Sequence, residues 1–74
     1  MNVSKVQAII YIFKLLLEQG FIRKKDIQET IEIEDVTFRR YIQDLRAYFV
    51  NFNEPYELKY DKLEDKYILK SIKN

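Results

Sequence analysis

This sequence contains no cysteine and no histidine. The first absence removes disulfides and thiolate metal sites. The second removes the commonest zinc ligand, the commonest general base and any Ser-His-Asp triad. An enzyme would have to work with Asp, Glu, Lys, Tyr and Ser in a chain with little room for a pocket, so no catalysis, cofactor or metal is expected. Long hydrophobic runs are missing too. The longest, Ala8 to Leu17, is interrupted by Lys14 and is too short to span a bilayer. The opening Met1-Asn2-Val3-Ser4-Lys5 has no signal-peptide pattern. A cytoplasmic protein without membrane contact is the default expectation. A large excess of one charge is also lacking, since 13 basic residues stand against 12 acidic ones for a net charge of +1. A typical nucleic-acid binder is more basic than that, so the placement of the charges has to decide.

What is present is apolar and aromatic. Hydrophobic residues make up 47% of the 74 positions, with six Tyr and five Phe beside a single Gly and a single Pro. That composition is globular rather than disordered. The length allows one domain, residues 1–74. A chain this short buries a modest share of its surface, so its core must be dense or shared.

Ser4 is a good N-cap and Gly20 a good C-terminal stop, which predicts a helix over 5–19. Val6, Ile9, Phe13, Leu16 and Leu17 share one face of it and are expected to meet the core. Ala8, Ile12 and Leu15 make a further apolar side, beyond what a surface helix needs. A homodimer interface through Ala8, Ile12 and Leu15 is the expectation, with coverage by a later part of the chain as the alternative. Phe21-Ile22 reads as a short extended piece, and residues 24–30 as a second helix. Ile31-Glu32-Ile33 forms a turn. A third helix starts near Glu34 or Asp35 and runs to about Phe49, with Phe38, Ile42, Leu45 and Phe49 on one buried stripe. Asn51 to Pro55 is a loop. Tyr56, Leu58 and Tyr60 then alternate with charged residues, and Tyr67 to Ile72 makes the return strand of a hairpin. The expected fold is mainly α with a small β-hairpin, in the order helix, helix, helix, hairpin.

Val36-Thr37-Phe38-Arg39-Arg40-Tyr41-Ile42-Gln43-Asp44-Leu45-Arg46 resembles the recognition helix of the DeoR-like winged helix-turn-helix domains that open many bacterial WYL-domain transcriptional regulators. Thr37, Phe38, Arg40, Ile42, Leu45 and Arg46 match that pattern, and Tyr41 stands where an Asp is usual. Gly20-Phe21-Ile22, Lys25-Asp26-Ile27 and the tyrosine-bearing hairpin, Tyr60-Asp61 and Tyr67-Ile68-Leu69, fall where the family has corresponding elements. The hairpin tip lacks the family's glycine. The resemblance implies a three-helix winged helix-turn-helix that binds double-stranded DNA as a transcriptional regulator, either as the N-terminal part of a longer protein or as a stand-alone one of the phage or mobile-element kind.

In that geometry the third helix enters the major groove. Its side opposite Phe38 and Ile42 holds Val36, Arg40 and Gln43. Arg reads guanine through a forked pair of hydrogen bonds, Gln can reach adenine, and Val can meet a thymine methyl. Thr37 and Arg39 flank this face and suit phosphates. Arg23, Lys24 and Lys25 open the second helix and are candidates for the DNA backbone. Lys62 and Lys66 at the hairpin tip are candidate wing contacts. Duller roles exist for each: Arg40 can pair with Asp44 one turn on, and Arg23 to Lys25 can be plain solvated surface. The tyrosines suit core and sheet better than base stacking. Glu32, Glu34 and Asp35 oppose DNA binding unless they cap the helix or accept from cytosine. The competing function is a protein-interaction module on the same fold, with a protein partner in place of DNA.

Overall fold

Ser4 has extended backbone, its hydroxyl accepts from the Gln7 N–H, and the Gln7 side chain accepts from the Ser4 N–H. This reciprocal pair satisfies two donors that a helix start would otherwise leave open. It begins α1, Lys5–Gln19, in the computed structural model, which describes residues 1–72. Residues 73 and 74 of the expected 1–74 domain lie outside the described residues. α1 ends at Gly20, whose φ of 85° is left-handed and whose N–H closes on the Leu16 carbonyl at 2.8 Å. A side chain there would be strained. β1, Phe21–Ile22, follows, then α2, Lys24–Thr30, α3, Asp35–Asn51, and the strands β2, Tyr56–Asp61, and β3, Lys66–Ser71.

Among the described residues the protein is mostly helical, with three helices and a three-stranded antiparallel sheet ordered β1-β3-β2. The hairpin expected from the sequence is β2 and β3. The short extended piece expected at Phe21-Ile22 is β1, and the structure adds its partner: β1 lies along the free edge of β3 with Phe21 opposite Ile68 and Ile22 opposite Tyr67. The hairpin turn needs no glycine. Asp65 adopts the left-handed conformation at φ 52°, which Asp tolerates, and the Asp61 carboxylate accepts from the N–H groups of Leu63 and Glu64. Such a side-chain loop mimics a backbone turn.

The core gathers Ala8, Ile12 and Leu16 of α1, Ile22, Ile27 and Ile31, and Phe38, Ile42, Leu45 and Phe49 of α3, closed by Leu58. Each large apolar side chain fully removed from water contributes roughly 1.5–3 kcal/mol. Phe38 meets Tyr67 edge-on at 5.5 Å, which fixes α3 to the sheet, and Phe13 meets Phe49 at 5.7 Å between α1 and α3.

The inward side of α1 is rotated relative to the sequence expectation: Leu16 is in the core as expected, and Ile9 and Phe13 pack partly against it. Ala8 and Ile12, expected at a dimer interface, are buried inside the chain, and Leu15 packs partly against the same core. Val6 and Leu17, expected in the core, are exposed. The reason is tertiary packing: the line through Ala8, Ile12 and Leu16 turns toward the core it shares with Ile22, Phe38 and Ile42, and the exposed Lys5–Asp44 pair accompanies that packing. Two equally apolar sides of a helix cannot be told apart by periodicity alone. No helix among the described residues is long and apolar enough to cross a membrane.

Candidate nucleic-acid interface

α3 is built so that its two sides differ sharply. Phe38, Ile42, Leu45 and Phe49 recur at helical spacing and are all buried. Val36, Arg40 and Gln43 therefore point the other way, and all three are exposed. Arg39 is exposed on the flank of this face, and Thr37 is half-buried at its other side. Lys5, Val36, Arg39, Arg40, Gln43 and Asp44 together line a shallow depression on the surface. Lys5 has no helical signal that links it to α3. It arrives there because α1 packs against α3, and its Nζ lies 3.2 Å from Asp44 Oδ2.

Asp44 is thus engaged by Lys5. Arg40 has no hydrogen bond or ion pair among the described residues, which leaves its five guanidinium donors to solvent or a ligand. Arg39 is close enough to Asp35 to favour that carboxylate's charged form.

The acidic cluster is partly compensated. Asp35 Oδ1 accepts from the Gln28 amide at 2.7 Å and Asp35 Oδ2 lies 3.3 Å from Lys24 Nζ. The Gln28 hydrogen bond first, and Lys24 second, hold the Asp35 carboxyl below its ordinary value. Glu32 lies 3.8 Å from the N-terminal ammonium of Met1. Glu34 occupies the N-cap position of α3, yet its side chain makes no capping hydrogen bond. The sequence offered capping as a use for these acids, and the structure instead spends Asp35 on tying α2 to α3.

The remaining basic candidates divide. Lys24 is committed to Asp35. Arg23 and Lys66 both converge on Glu64 Oε1, at 3.4 and 3.9 Å, and both sit over the Phe21 ring, at 5.3 and 4.8 Å. Glu64 is exposed and both cations are half-buried; surface pairs of this length are individually weak, but they hold the two cations together beside the hairpin. Lys25 and Lys62 are exposed with no ion pair among the described residues. The structure brings Val36, Arg39, Arg40 and Gln43 into one surface, while Lys62 lies in the turn and Lys66 at the start of β3. Tyr60 donates to Asp65 at 2.6 Å and stacks at a tilt on Tyr67, a sheet role for both rings. Among the described residues no group of three acidic side chains is placed to hold a metal ion.

No family model, curated protein or solved structure matches this chain.

Proposed function

We propose that this chain is a winged helix-turn-helix domain that binds double-stranded DNA as a transcriptional regulator, with α3 in the major groove. The carrying observation is the outward side of α3, where Arg40 stands without an ion-pair partner among the described residues, between Val36, Arg39 and Gln43. The element order and the β1-β3-β2 sheet support this fold assignment. An unpaired arginine at the centre of an exposed helix face suits the forked contact to guanine O6 and N7. Arg39, Lys5 and Lys25 suit phosphates on either side, which set position and not sequence. Glu34 restricts how closely the first turn of α3 approaches a phosphate, or accepts from a cytosine amino group.

The test is fluorescence anisotropy of a labelled duplex titrated with the protein at several salt concentrations. The expected result is binding whose affinity falls steeply with salt, on a log–log slope of about −3 to −4 for three or four phosphate contacts. No binding at low salt by the folded protein would reject the proposal. It would favour a protein-interaction module on the same fold, for which the exposed apolar side of α1 is the supporting observation.

A further inference from the structure

Val6, Ile10 and Leu17 of α1 are 66%, 61% and 52% exposed, and Phe52 just beyond α3 is 67% exposed. They are not scattered. Positions 6, 10, 13 and 17 follow helical spacing along one side of α1. Half-buried Phe13 joins that side to α3, with its ring 6.4 Å from Tyr48, and Tyr48 lies 5.0 Å from Phe52. Single exposed apolar residues need no explanation, whereas a contiguous set does.

We infer that this face, made by Val6, Ile10, Leu17, Tyr48 and Phe52, is where a second copy of the chain docks to form a two-fold symmetric dimer. Size supports a second copy. Three exposed aliphatic side chains and two partly exposed rings present on the order of 400–500 Å² of apolar surface. That matches the apolar part, about 65%, of a standard interface of roughly 800 Å² per partner. Charge is compatible with it. The rim carries both signs: Lys14 lies 3.9 Å from Glu18, and Glu54 accepts from the neutral Tyr48 hydroxyl. That leaves one carboxylate per copy in excess, a weak repulsion that salt screens. An anionic membrane surface or a nucleic acid would find no basic excess there. A two-fold axis needs one self-complementary patch, which an apolar strip provides. The inference stands whether or not α3 binds DNA.

Sedimentation velocity at rising micromolar concentrations tests it. Wild type is expected to sediment at twice the chain mass. Ile10→Glu and Leu17→Lys are each expected to weaken the dimer by about 30-fold or more. Both positions are exposed, so circular dichroism and thermal unfolding should stay those of a folded chain. Leu63→Lys, at the exposed hairpin tip between β2 and β3, should dimerise as wild type does. A wild-type monomer throughout, or charged variants that dimerise normally, overturns the inference. So does a monomer whose face becomes protected only when a different protein is added. Dimerisation by a protein that fails to bind duplex supports the inference and defeats only the DNA proposal.

Discussion

Lys5 Nζ lies 3.2 Å from Asp44 Oδ2, so the first residue of α1 is tied to the outer flank of α3. Asp44 is the acid one helical turn beyond Arg40, and its engagement with Lys5 leaves that arginine unpaired. Arg40→Ala should therefore cost little stability, within about 0.5 kcal/mol for an exposed site without partners. Its expected effect is on sequence discrimination, a loss of about 1–3 kcal/mol between preferred and unrelated duplexes. Competition binding beside urea unfolding checks both halves.

The inward side of α1 yields a prediction about stability. Ile12 is fully buried and Ile10, two residues earlier, is exposed. Ile12→Ala should destabilise the protein by about 2–5 kcal/mol through lost burial and a residual cavity. Ile10→Ala should change the stability of the monomer by less than about 0.5 kcal/mol. Urea unfolding at a concentration too low for self-association separates the two. Equal costs would mean that the faces of α1 are assigned wrongly.

Much of this arrangement was legible in the sequence because its signals are local. Ser4 and Gly20 bracket α1, and the Phe38-Ile42-Leu45-Phe49 stripe marks the inner side of α3. Tyr56 to Asp61 and the return strand follow from alternation. What was not legible depends on partners distant in sequence. Lys5 and Asp44 are far apart in the chain, and they meet because the Ala8-Ile12-Leu16 line of α1 packs into a core shared with α3. The two residues of β1 read as extended, but they are too few to show that β3 is their partner. The pairing of Asp35 with Gln28 and Lys24 arises only once α2 packs beside the start of α3. Local periodicity carries no information about any of these.

Asp35 makes stability depend on acid. Its folded-state value lies below its ordinary value of 3.8 because Gln28 and Lys24 favour the carboxylate. A depressed folded value means that the unfolded chain binds the proton more readily, so the contribution is complete above pH 3.8 and declines as pH falls below it. Asp35→Asn removes this contribution. Urea midpoints measured from pH 6 down to pH 2.5 should fall more steeply for wild type than for Asp35→Asn. Parallel profiles would show that the Gln28 and Lys24 contacts do not persist in solution.

Glu64 holds Arg23 and Lys66 beside the hairpin. Glu64→Gln should release both cations toward a bound duplex. The expected change is tighter binding, with a log–log salt slope steeper by about 1–2, as each added phosphate contact contributes about 0.9. An unchanged slope would show that the hairpin stays clear of the DNA.

The most direct measurement is a two-dimensional NMR titration of isotope-labelled protein with a short duplex at low salt. The account predicts that the largest shift changes fall on Val36, Arg39, Arg40 and Gln43, including the Arg40 side-chain Nε–H, with smaller ones at Lys5. Changes confined to Val6, Ile10, Leu17 and Phe52, or no changes at all, would contradict it.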